Sequence, residues 1–135
     1  MEFNVNFWAV LVSAIVSYSI GSLWYSPVLF GKVWAYYMGL TPEKMKASGM
    51  GKIYVGSFIT TLIMAYVLAH FIILGGAGNI ATGAQIGFWI WLGFVATIAT
   101  GSIFWENKAK KLYLINVGYQ LVSIMVMGII LALWR

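Results

Sequence analysis

The chain has 135 residues, of which 62% are hydrophobic and only 8% charged, with a net charge of +5 and a mean hydropathy of +0.92. An ordinary soluble domain carries roughly 25% charged residues, so this chain has too few polar groups to coat a water-facing surface, and lipid is its natural solvent. It contains no cysteine, which excludes disulfides, thiolate metal sites and thiol catalysis; its basic balance comes without a stripe of lysine interleaved with exposed aromatics, so nucleic acid is not an expected partner.

The first apolar run covers residues 5–25. At the rise of an α-helix it is long enough to cross about 30 Å of hydrocarbon. Glu2 is the only charge ahead of it and no small-x-small cleavage pattern follows, so it is expected to remain as a span and not to be removed as a leader. Pro27 stops the helix, because the residue before a proline is disfavoured in helical conformation. Residues 30–38 then read as a short amphipathic helix, with Phe30, Trp34 and Tyr37 on one face and Lys32 on another, the pattern of a segment lying in the membrane surface. Thr41, Pro42 and Glu43 form a helix start, with an N-cap, a first-turn proline and a first-turn acid. Residues 48–51 break the chain again before the second run, residues 53–74.

A glycine-rich, uncharged turn at residues 75–80 leads to the third run, residues 81–105, and a lysine-rich loop at 106–111 leads to the fourth, residues 112–134. None of the four runs holds a charge. A strand would leave backbone groups unpaired in lipid, and a closed barrel would show short alternating segments, so each run reads as a helix. The expected fold is an all-α membrane protein: one transmembrane domain over residues 1–135, a four-helix bundle with a short interfacial helix between the first and second spans.

Lys32, Lys44, Lys46 and Lys52 lie in the connection 26–52, and Lys108, Lys110 and Lys111 in 106–111. Arg135 is the only basic residue on the other side. Seven against one places both loops in the cytoplasm and both termini outside the cell membrane. Phe7, Trp8, Trp24, Tyr25, Trp105, Tyr113 and Trp134 sit at the run ends as interfacial anchors.

Small residues recur every four positions at Ala9, Ser13, Ser17 and Gly21, at Gly83 and Gly87, and at Gly93, Thr97 and Gly101. Such rows let helix backbones approach closely where water supplies no driving force. They serve either packing within one chain or an interface between subunits. Asn116, Gln120 and Ser123 form one stripe on the fourth helix, at about 6 to 12 Å from its lysine-bearing end. Thr97 and Gly101, Tyr18 and Ser22, and Thr60 and Thr61 fall at similar depth. A polar zone is therefore expected there, centred on Ser17, Tyr18, Thr97, Asn116 and Gln120. It serves either as interhelical hydrogen bonding or as a small cavity for a polar ligand or ion.

His70, the single histidine, lies near the end of the second span, and Gln85 at similar depth in the third. The two are expected to meet across the short turn, with Tyr66 one turn from His70. One imidazole without neighbouring carboxylates is no metal site, and no cofactor is expected. Glu106 stands beside three lysines and pairs by default with Lys108, Lys110 or Lys32. No carboxylate lies inside a span, which counts against proton-coupled four-helix exporters. No Ser-His-Asp set, paired acids or phosphate-cradling loop is present, so no enzymatic activity is expected.

The stretch Trp24-Tyr25-Ser26-Pro27-Val28-Leu29-Phe30-Gly31-Lys32-Val33-Trp34 resembles the signature of a family of small membrane proteins known only as the domain of unknown function seventeen-sixty-one. The resemblance implies four hydrophobic spans over nearly the whole chain and supplies no substrate. Within it Trp24, Pro27, Phe30, Gly31, Lys32 and Trp34 read as an interfacial corner, either a fixed joint of the scaffold or a lid over the polar zone. The leading expectation is a non-catalytic structural or accessory protein of the bilayer, self-associating or bound in a larger membrane assembly. A small channel or carrier using the polar zone, and a binder of lipid or another apolar ligand, are the alternatives.

Overall fold

The structure, a computed structural model, describes residues 3–41 and 50–134. All regular structure among them is helical, and four helices are long and apolar enough to cross a membrane. Helix α1 is Phe7–Trp24. The Asn6 side chain caps it by accepting from the amides of Trp8 at 3.1 Å and Ala9 at 3.3 Å. It ends at Tyr25, two residues before Pro27, as the proline requires. Helix α2, Gly31–Met38, is the expected short helix and closes on Gly39, whose φ of +66° a side chain would resist.

Helix α3 is Met50–Leu74. Met50 and Gly51 are already helical, so the expected break does not reach them; one glycine inside a long apolar run costs too little to end it. Pro42, Glu43, Lys44 and Lys46 of the expected helix start and lysine cluster lie outside the described residues, as do Glu2 and Arg135. The chain reverses at Gly76, with φ +68°. Helix α4, Ile80–Ile90, begins with a capping box in which Asn79 and Thr82 satisfy each other's amides. The third span continues through a π-helical stretch, Trp91–Ala96, then α5, Thr97–Ala99, and α6, Gly101–Phe104. Sequence gave no warning of this widened turn. Asn107, at φ +54°, turns the chain into α7, Lys110–Leu133.

Helix α7 is the hub: α4 lies along one side of it, α1 along another, and α3 against both α1 and α7. The α4–α7 crossing is a glycine contact, in which a Cβ on Gly83 would lie 2.6 Å from the Gly128 carbonyl oxygen. Gly87 is held as closely, 2.9 Å from the oxygen of Ile124. Where lipid is as apolar as leucine, this close dispersion contact holds helices together.

The core is concentrated at the end of the bundle that carries the 75–80 turn. There Ala9, Val10 and Ala14 meet Ala65, Leu68, Ile72, Met127 and Leu131. Toward the lysine-bearing end the helices splay. Residues 51–57 of α3 are all exposed, as are Phe94, Ile98 and Phe104 of the third span. At that end α1, α2 and α7 stay packed together, while Tyr18 of α1 still reaches α3 and Tyr113 of α7 the third span.

Candidate functional site

Helical spacing puts Asn116, Tyr119 and Ser123 on one face of α7, turned toward Ser13, Ser17 and Gly21 of α1. Ser17 and Ser123, both buried, share a short hydrogen bond between their hydroxyls. The Tyr119 hydroxyl donates to the Ser17 carbonyl at 3.1 Å and lies 3.4 Å from the Ser17 hydroxyl. Gly21 makes room for that ring, since a Cβ there would come within 2.9 Å of the Tyr119 oxygen. One turn further into the core, the Ser13 hydroxyl is fully buried and makes no hydrogen bond among the described residues.

Below this seam the corner after α1 docks on α7. The Trp24 indole donates to the Ile115 carbonyl at 3.0 Å, and its ring lies over Gly118. The Tyr25 hydroxyl donates to Asn116 Oδ1 at 2.8 Å. Its ring meets Trp34 and Tyr119 edge-on, at centroid distances of 5.4 and 5.6 Å. Burial, with a smaller contribution from Tyr119, pushes the Tyr25 phenol up to about 12, so it stays a neutral donor. Phe30 packs on Trp24 at 4.8 Å. Gly31 is buried with its amide donating to the Ser26 carbonyl at 2.9 Å, and a Cβ there would run into the backbone of Tyr25 and Ser26. Pro27 and Lys32 are exposed. Within the motif Trp24 and Tyr25 face inward onto α7, while Pro27, Phe30 and Lys32 stay exposed.

The expected polar zone is only partly assembled. Ser17 and Asn116 belong to the seam. Tyr18 faces the other way, donating to the Tyr54 carbonyl of α3 at 3.1 Å and packing edge-on against Phe58. Thr97 is exposed and its hydroxyl donates to the Gly93 carbonyl of its own helix at 2.6 Å. Equal depth therefore did not mean a shared face. Gln120 is half-buried and makes no hydrogen bond among the described residues. It lies about two turns from the fully buried Met127, so it looks into the region where the helices splay.

His70 and Gln85 do not pair. His70 Nδ1 donates to the Tyr66 carbonyl at 2.8 Å, and its ring lies between Phe3 and Tyr66. Gln85 is exposed on α4. The His70 Nδ1 proton is thereby committed to the histidine's own helix. Glu106 pairs with Lys108 at 3.2 Å, as its surroundings suggested.

Sequence reading missed Tyr119 and the inward role of Tyr25. The available signal was size complementarity, a tyrosine three residues beyond Asn116 facing a glycine, Gly21, on another span. Two further tethers also escaped notice: the Trp91 indole donates to the Val117 carbonyl at 2.8 Å, and the Tyr113 hydroxyl to the Ala96 carbonyl at 2.8 Å.

No curated protein and no solved structure matches the chain. A family model described as a protein of unknown function, DUF1761, matches residues 8–132. With the corner motif, four apolar helices and nearly the full length inside that match, the chain belongs to the DUF1761 family of proteins of unknown function.

Proposed function

We propose that the protein is a non-catalytic, membrane-embedded accessory subunit that docks through its third span, on a second copy of itself or within a larger membrane assembly. The carrying observation is how little of that span the chain covers. Only 11% of its most apolar stretch is buried, against 28%, 28% and 39% for the other three. Its glycines divide accordingly. Gly83 and Gly87 are used against α7, whereas Gly93 has nothing within 4 Å and stands beside exposed Trp89, Phe94, Thr97 and Ile98. A small-residue row flanked by large apolar side chains suits a second helix better than lipid tails. In this reading the lysine-bearing loops face the cytoplasm.

The test uses the natural absence of cysteine. Gly93→Cys and Thr97→Cys are expected to crosslink in native membranes under mild oxidation. Leu114→Cys, exposed on α7, serves as the comparison. Monomeric migration in mild detergent, no crosslink at either position and no co-purifying membrane protein would remove the proposal.

A second reading, a small carrier or channel, draws support from Gln120. An amide half-buried in a splayed region, without a hydrogen-bond partner among the described residues, suits a polar solute. Cysteines at 116 and 120 would react with a water-soluble thiol reagent from the lysine-bearing side if that region is hydrated; inertness at both would end it.

A further inference from the structure

The corner after α1 forms one wall of a cleft of about 220 Å³ beside α2, lined by Tyr25, Pro27, Lys32, Trp34, Ala35 and Leu40. Its floor is held in place. The Tyr25 phenol is committed to Asn116, the Trp34 ring leans on Tyr25, and Gly31 is wedged under the Tyr25 and Ser26 backbone. The lining is mostly apolar, yet two polar groups in it are uncommitted. Lys32 forms no ion pair among the described residues, whereas Lys108 has Glu106. The Trp34 indole N–H makes no hydrogen bond among the described residues, whereas Trp24 and Trp91 both donate to α7 carbonyls.

The cleft's position narrows what it can take. Tyr25 directly follows the last residue of α1, so the cleft lies at the level where the span leaves hydrocarbon and headgroups begin. Lys110 and Lys111, also without ion pairs among the described residues, keep this end of the molecule positive. An apolar wall, with an ammonium and an N–H donor that have no partner among the described residues, at headgroup depth, complements an amphiphile bearing a single negative group. A free anion would leave Pro27, Ala35 and Leu40 unused, and a zwitterionic lipid would set its own cation against Lys32.

We propose that this cleft binds one anionic phospholipid from the adjoining leaflet, its phosphate held by Lys32 and the Trp34 indole and its glycerol and upper acyl carbons lying against Pro27, Ala35 and Leu40. The lipid would add to the contacts that already hold α2 against the corner.

The experiment is native mass spectrometry of the intact protein in mild detergent, titrated with phosphatidylglycerol or with phosphatidylcholine of the same acyl chains. Phosphatidylglycerol is expected to bind preferentially with one tight site. Lys32→Gln should weaken that site about 5-fold. Trp34→Phe, which keeps the ring and loses the donor, should weaken it about 3-fold. Lys110→Gln should leave it nearly unchanged. Equal binding of the two lipids, full retention in both cleft variants, or an equal loss in Lys110→Gln would overturn the site, the last by showing diffuse surface charge. Displacement of the lipid by inorganic phosphate at comparable concentration would also overturn it, in favour of a free anion.

Discussion

Gly83 and Gly128 face each other across the α4–α7 crossing so closely that a Cβ added to Gly128 would lie 2.5 Å from the Gly83 carbonyl oxygen. The obstacle is backbone on both sides, so neither helix can yield without moving as a whole. Gly128→Val is therefore expected to destabilise the protein by about 1–3 kcal/mol. The measurement is the midpoint of unfolding in mixed micelles of rising sodium dodecyl sulfate content. Gly56→Ala, on an exposed stretch of α3 where nothing stands within 4 Å, should leave the midpoint unchanged or raise it slightly, since alanine restricts the unfolded chain. Equal losses in the two variants would mean the crossing is not where the structure puts it.

Ser13 of α1 and Ser123 of α7, both buried, should behave oppositely. The Ser13 hydroxyl is fully buried without a partner among the described residues, so Ser13→Ala is expected to stabilise by about 1 kcal/mol through removal of an unsatisfied group. Ser17 is bonded to Ser123, so Ser123→Ala should cost about 0.6 kcal/mol, the usual worth of an interhelical hydrogen bond in a membrane. The same unfolding midpoints read both, and shifts of one sign would contradict the seam.

Tyr25 gives a pH signature. Its folded-state pKa is raised to about 12 from the ordinary 10.0. A phenol held protonated on folding adds stability that is fully present below pH 10 and is lost as pH climbs toward about 12, because the unfolded chain deprotonates first. The difference in stability between the wild type and Tyr25→Phe is therefore expected to be flat up to about pH 9 and to shrink above pH 10. A difference that grew with alkaline pH would exclude the buried donor geometry.

Thr97→Val should fall within about 0.5 kcal/mol of wild type, as for a surface position, because the Thr97 hydroxyl serves only its own helix. Tyr119→Phe should cost more, since it strips the bond to the Ser17 carbonyl. Thermal unfolding followed by circular dichroism compares them. The reverse order would restore Thr97 to the polar zone and remove Tyr119 from it.

All four spans were legible, and their ends fell within three residues of the observed helices, because Pro27, Asn79 and the lysine clusters act locally on the chain. The grouping of Asn116 with Ser123 was legible for the same reason, as both lie on one helix. For Tyr18, Thr97 and Gln85 only depth is legible, and depth leaves rotation about the helix axis free.

Lipid preference is summed along a run and needs no knowledge of neighbours, so the amino-acid order alone determined that this is a four-helix membrane protein with a corner at Pro27. Which face each helix turns inward is a property of pairs. Only the tertiary structure decided that Gly83 meets Gly128, that Gly21 receives Tyr119 and that Gly93 is left open. Between apolar helices in an apolar solvent no burial gradient sets rotation, and steric fit and paired hydrogen bonds settle it only once both partners are in place.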